Sequence, residues 1–194
     1  PGRFHPRVAA RGLALPEGAF VIGFTGSLKR WHGVDVMMEA FRMVRADTPD
    51  AHLLVVGDGP ERGWLDGYVR GARLDGAVTM TGWMQHGDLP SVIAAMDVAL
   101  APYPDSADFY FSPLKLFEYL GVGRPIVASA IGQITEVLRH GDNALLVPPG
   151  DARALAAALL SLKADRALAV RLAAGAALEG AKHSWRRNAE TALG

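Results

Sequence analysis

From about residue 20 to about residue 163, short apolar runs rich in β-branched residues alternate with segments of helical period, and nothing else constrains the fold as tightly. Phe20-Val21-Ile22-Gly23-Phe24-Thr25 carries apolar residues on both faces, which is the signature of a strand buried on both sides. Behind it, Val34, Met37, Met38, Phe41 and Val44 recur at helical spacing, with Asp35, Glu39 and Arg42 opposite. The same pairing then repeats. Further strands are expected at 52–56, 78–81, 98–101, 125–129 and 144–147, and helices at about 60–74, 88–96, 113–121, 134–138 and 151–162. Beyond Asp165 the pattern is helical only: Leu168, Leu172 and Ala176 form one stripe, and Ser184-Trp185-Arg186-Arg187 opens a last short helix.

Apolar strands separated by helices specify a parallel sheet covered on both faces: a three-layer, Rossmann-like α/β domain with about six strands and C-terminal helices. A chain of 194 residues is long enough to bury such a core as one domain, without staples. Residues 1–18, rich in Arg, Pro and Gly, read as an extended approach, 19–182 as the domain, and 183–194 as a terminal helix. With 20 Lys+Arg against 20 Asp+Glu there is no net field for a polyanion, so nucleic acid is not the expected partner and small ligands remain open. The absence of cysteine removes disulfides and thiolate chemistry and is compatible with a reducing compartment. Six histidines show neither His-x-His nor His-Glu-x-x-His spacing, so no metal is expected. No run reaches the roughly 18 apolar residues of a membrane span, and Pro1-Gly2-Arg3-Phe4-His5-Pro6 lacks the apolar core of a signal peptide.

Ligands of open parallel sheets bind beyond the carboxyl ends of the strands, where loops lead into helix N-termini. The first such loop, Gly26-Ser27-Leu28-Lys29-Arg30-Trp31-His32-Gly33, holds two cations and a histidine between glycines, as a phosphate cradle or a solvated turn would. It is no P-loop, since no Gly-Lys-Ser/Thr ends it. Gly57-Asp58-Gly59-Pro60 resembles a dinucleotide turn, but Arg62 stands where a third glycine belongs, and a tight turn with Pro60 opening a helix explains it equally well. Gly82-Trp83-Met84-Gln85 either covers the sheet edge or meets a base. In the fourth loop Ser112-Pro113 reads as N-cap and first residue of a helix, which leaves the N–H groups of Leu114 and Lys115 free for an anion. Glu118 follows about one turn on, where a carboxylate accepts hydrogen bonds from a vicinal diol such as ribose. The alternative for Lys115 and Glu118 is a solvated helix face. Asp105 and Asp108 fit a solvated loop better than a catalytic carboxylate pair. The fifth loop, Ala130 to Glu136, is a further strand-to-helix turn whose carboxylate caps a helix.

The run from Ser112 through Pro-Leu-Lys-Leu-Phe to Glu118 and on to Ser129, the Gly26–Gly33 loop, Val56-Gly57-Asp58-Gly59-Pro60, and the stretch from Glu136 to Asp151 occur in an order that resembles a known family. It is the C-terminal, donor-binding half of group 1 (family 4) glycosyltransferases of the GT-B fold. The resemblance implies a metal-independent, retaining transfer of a sugar from a nucleoside diphosphate, UDP- or GDP-linked, to an acceptor, with no cofactor. It implies a partner domain on the N-terminal side that binds the acceptor, with residues 1–18 as the connector and the terminal helix packed on that domain. A cytoplasmic location follows, with membrane contact only through the full-length protein. By position, Glu118 looks like the ribose glutamate, Pro113, Leu114 and Lys115 like part of the diphosphate and sugar cradle, and Trp83 and Met84 like base contacts. Ser27 and His32 stand where many members carry Arg and Lys, so Lys29, Arg30 or Lys115 is expected to supply the charge. Tyr110 stands where many members have a second glutamate near the sugar. These departures favour a second reading, a nucleotide-binding or regulatory module without catalysis. A dinucleotide oxidoreductase would rest on Gly57 and Gly59 alone.

Overall fold

Each apolar run becomes a strand, and all pair in parallel. The structure, a computed structural model that describes residues 3–10, 13–105 and 114–183, contains β1 (Phe20–Thr25), β2 (Ala51–Val56), β3 (Val78–Met80), β4 (Val98–Ala101), β5 (Ile126–Ser129) and β6 (Leu145–Val147). They form one sheet in the order β3-β2-β1-β4-β5-β6. The helices are α1 (Val34–Asp47), α2 (Arg62–Gly71), α3 (Leu89–Ala94), α4 (Leu114–Val122), α5 (Ile134–Val137), α6 (Ala152–Ala164) and α7 (Arg166–Lys182), with a 3-10 turn at Arg30–His32.

Alternate strand residues feed two cores, which makes the domain three layers deep. Ile22, Phe24, Leu53, Val55, Val98 and Leu100 meet Met38 and Phe41 of α1, Leu65 of α2 and Leu159 of α6 on one face. Val21, Leu54, Val56, Ala99 and Ala101 meet Ile93 of α3, Leu116 and Leu120 of α4, Ile134 of α5 and Ala176 of α7 on the other. Each fully buried Leu or Ile contributes roughly 1.5–3 kcal/mol, which is why strands with no polar face are stable only in the interior. Gly23 at the middle of β1 admits the side chain of Met96, whose sulfur lies 2.1 Å from where a Cβ would stand.

Helix boundaries differ from expectation where loops compete for the main chain. The second helix opens at Arg62 rather than Pro60, because the N–H of Glu61 donates to Leu28 O at 3.0 Å and ties the turn to the first loop. The stripe on α7 is present, with Leu172 and Ala176 buried, but it also carries a buried carboxylate. Glu179 accepts from Arg139 at 2.7 Å and Lys182 at 2.9 Å, so its charge is matched by cations. Residues 3–10 and 13–18 hold no helix or strand; Phe4, Val8, Leu13 and Leu15 pack on the α4 side of the sheet. The expected helix opening at Ser184 lies outside the described residues.

Candidate functional site

The chain winds outward from β1 through β2 to β3 and then returns to β4, so the strand order reverses between β1 and β4. Loops leave a reversal point on opposite sides and open a crevice at the carboxyl ends. The first loop bounds it on one side, and residues 102–105, which follow β4, together with the start of α4 bound it on the other.

Main-chain hydrogen bonds continue past the strands and fix the first loop. Gly26 N donates to Val56 O and Leu28 N to Asp58 O, both at 2.9 Å, and Gly57 N donates to Gly82 O at 2.9 Å. Gly57 and Gly59 make this possible: a Cβ on Gly57 would sit 2.0 Å from Gly26 O, and one on Gly59 2.6 Å from Leu28 O. The glycine pair is therefore occupied with loop-to-loop approach, not with opening a helix onto a dinucleotide.

Ser27 and His32 turn toward each other. The His32 Nδ1–H donates to Ser27 O at 2.6 Å, and the ring stands edge-on to Tyr103 with centroids 5.9 Å apart. Burial lowers its pKa, and Lys115 pushes the same way. Arg30 is exposed, and Lys29 lays its ammonium over the Trp31 ring at 4.7 Å.

Lys115 is not on a solvated face. It is 7% exposed, its Nζ has no hydrogen-bond partner, and it rests on the Phe24 ring at 3.9 Å and near the Tyr103 ring at 5.5 Å. The same Nζ lies 2.9 Å from the place a Cβ of residue 26 would take, so Gly26 gives it room at the mouth of the crevice. Burial brings the ammonium down to about 7, against an upward pull from Glu118. Glu118 is also withdrawn from solvent, with a side chain 19% exposed, and burial raises its carboxyl. His86, with Nδ1 at 3.6 Å, and Lys115 oppose that rise.

Two residues outside the expected set hold this geometry. The Tyr119 hydroxyl accepts from Thr25 N at 2.8 Å and donates to Leu100 O at 3.2 Å, bridging the carboxyl ends of β1 and β4. Tyr119→Phe would strand a buried N–H and is expected to cost about 1–3 kcal/mol, read as a lower urea midpoint at unchanged slope. His86, in the loop after β3, touches both Glu118 and Phe4, whose ring is 5.1 Å away. Tyr119 directly follows the glutamate in sequence, but its partners come from two other strands, so spacing gave no sign of it.

Trp83 is 76% exposed and does not cover the sheet edge, while Met84 is half-buried against the α4-side core. Leu114 opens α4 and is exposed; Tyr110, Ser112 and Pro113 lie outside the described residues. A cleft of about 600 Å³ opens at the amino end of the sheet, past Phe20, Arg124 and Arg166. Two of its polar groups are engaged with main chain: Asp97 accepts from Val21 N at 2.7 Å, and Arg124 donates to Ala94 O and Met96 O. The buried Lys115 Nζ, which has no hydrogen-bond partner, is at the carboxyl end.

Order and layers define a doubly wound Rossmann-like domain with its switch point between β1 and β4. Residues 19–165 match the family described as glycosyl transferases group 1, and the chain belongs to that family. An exopolysaccharide phosphotransferase of Streptomyces coelicolor is 34% identical over 86% of this chain and 18% of its own length. A D-inositol 3-phosphate glycosyltransferase of Stackebrandtia nassauensis is 32% identical over 96% of this chain and 43% of its own. Among solved structures, Anabaena HepE in complex with UDP and glucose superposes with a TM-score of 0.76 at 23% identity, covering 90% of this chain and 48% of that one. That likeness is one of fold, the Rossmann-like fold of GT-B glycosyltransferases. The chain spans less than half the length of these relatives.

Proposed function

We propose that this chain is the donor-binding domain of a retaining glycosyltransferase that takes its sugar from a nucleoside diphosphate, UDP- or GDP-linked, without a metal. The observation that carries the reading is the pair Lys115 and Glu118, a cation and a carboxylate withdrawn from solvent at the start of α4, with the cation against Gly26. A nucleoside diphosphate presents the matching groups, phosphate oxygens and a ribose diol. The UDP and glucose bound by Anabaena HepE and the glycosyltransferase name of the Stackebrandtia relative support the same class of ligand.

In the reaction the bond between the anomeric carbon and the phosphate oxygen breaks, and the departing nucleoside diphosphate gains charge. The Lys115 ammonium and the free N–H groups at the start of α4 stabilise that charge, while Glu118 holds the ribose hydroxyls. An acceptor hydroxyl oxygen completes the new bond, and its proton passes to the departing phosphate oxygen. Orienting it and excluding water are tasks for a second domain, so the 194-residue chain alone is expected to bind donor without useful transfer.

Calorimetric titration with UDP and GDP tests the reading, and the absence of binding by either at roughly millimolar concentration overturns it. Glu118→Ala is expected to weaken the bound nucleotide about 10- to 100-fold, as loss of a charged hydrogen-bond acceptor does, with little change in the urea midpoint. Unchanged affinity would remove the ribose assignment. Ser27 and His32, at places where the resemblance implies Arg and Lys, are engaged with each other, which favours the second reading of a binding module without catalysis. Donor turnover by the full-length protein decides between the two.

A further inference from the structure

We propose that, on the alkaline side of neutrality, this chain meets the charge of its donor with a proton taken up at binding: the Lys115 amine, neutral there in the empty crevice, becomes an ammonium when a diphosphate arrives. The inference rests on the donor-binding reading above. Its geometric basis is the isolation of Nζ. The nitrogen is buried, has no hydrogen-bond acceptor, and lies between two aromatic rings and the Gly26 main chain. Removing an ammonium from water without acceptors disfavours the charged form strongly, and a ring face returns only part of what water gave. Shedding the proton relieves the cost, in agreement with the downward shift that burial imposes.

An incoming diphosphate reverses the balance, because its oxygens are both acceptors and opposite charges at close range in a place of low dielectric. Among the described residues, three charged or titratable groups are set around Lys115. Glu118 lies on its own helix, His32 on the first loop, and Tyr103 after β4. Lys29 acts on His32. Burial holds Tyr103 protonated, and Glu118 pulls toward the ammonium without preventing the shift. In the first loop Ser27 and His32 bond to each other, Lys29 lies over the Trp31 ring and Arg30 is exposed, so the buried cation is the one lysine on the opposite wall. Above neutrality a protonatable cation leaves the empty crevice without an uncompensated buried charge.

Calorimetry of the 194-residue chain with UDP-glucose and GDP-mannose, whose diphosphates do not titrate near neutrality, reads the proton directly. Titrations at about pH 8 in Tris and in HEPES should differ in apparent enthalpy by nearly one proton per donor bound, and the difference should vanish by about pH 5.5. Lys115→Met should remove the uptake and weaken binding roughly 30-fold or more, whereas His32→Gln should keep the uptake. Equal enthalpies in the two buffers, with binding intact, overturn the proton inference while the donor reading stands. Uptake that survives Lys115→Met and disappears in His32→Gln overturns it too. No binding of either donor overturns the donor reading, and this inference with it.

Discussion

Gly33→Ala should lower stability by roughly 3–5 kcal/mol and abolish donor binding in whatever fraction still folds. Gly33 adopts φ 66, ends the 3-10 turn and begins α1, and a Cβ there would sit 1.4 Å from the carbonyl oxygen of Pro102. The left-handed conformation costs a residue with a Cβ about 1–2 kcal/mol by itself. The overlap costs more, since neither partner is a movable side chain tip: both are main chain, on opposite walls of the crevice. Relief requires the first loop and the segment after β4 to move apart. That movement carries Tyr103 away from Lys115 and from the His32 ring, and so opens the place where phosphates are proposed to sit. A loss of this size consumes much of the 5–15 kcal/mol that a domain typically has in hand. Gly67→Ala is the matched control: Gly67 lies inside α2 with open space around it, and alanine there should add about 0.5–1 kcal/mol. Urea unfolding and UDP calorimetry on both variants check the pair. A Gly33→Ala protein with unaltered midpoint and affinity would mean that the two walls do not meet at Gly33.

The contrast between those two glycines also explains what could be read without coordinates. Strands such as Phe20–Thr25 were legible because a run apolar on both faces has only the interior of a parallel sheet to occupy. Lys115 and Glu118 were legible as neighbours on one helix, because three residues is nearly one turn. Their burial was not, since it depends on Phe24, Gly26 and Tyr103, which reach the crevice from elements far apart in the chain. The same holds for Tyr119, whose partner Thr25 is 94 residues away. Gly57 and Gly59 looked like a nucleotide turn for a related reason. Glycines permit close approach of any main chain, and the spacing does not say whether the neighbour is a phosphate or, as here, Gly26 and Leu28. Local pattern fixes which element a residue joins, whereas the chemistry of the crevice is set by contacts between elements.

Lys115→Met should make the empty protein more stable and the donor complex weaker, a reversal that an ordinary core lysine would not produce. A lysine held at about 7 binds its proton less tightly in the folded than in the unfolded chain, whose value is near 10.5. The unfolded state therefore binds more protons between these limits, so the contribution of this group to stability rises with pH from about 7 to about 10.5. At and below neutrality it is a cost on the order of 4 kcal/mol by linkage. Methionine has nearly the same length, no charge, and a sulfur that packs well against the Phe24 and Tyr103 rings. Even buried charges that are paired are often replaced by well-packed apolar side chains with a gain of about 1–4 kcal/mol, and Lys115 Nζ has no hydrogen-bond partner. The gain in the urea midpoint should thus be largest near pH 6 and fall by more than half by about pH 9.5, where the wild-type amine is already neutral and the unfolded one is beginning to lose its proton. Donor affinity should move the other way at every pH, because the phosphates then meet rings in place of an ammonium. Opposite signs on stability and binding are what a site shaped for an anion produces: the crevice is strained while empty, and the ligand supplies the acceptors that the fold withholds from Lys115. A variant that loses stability at pH 6 would show instead that the ammonium is already compensated in the empty chain.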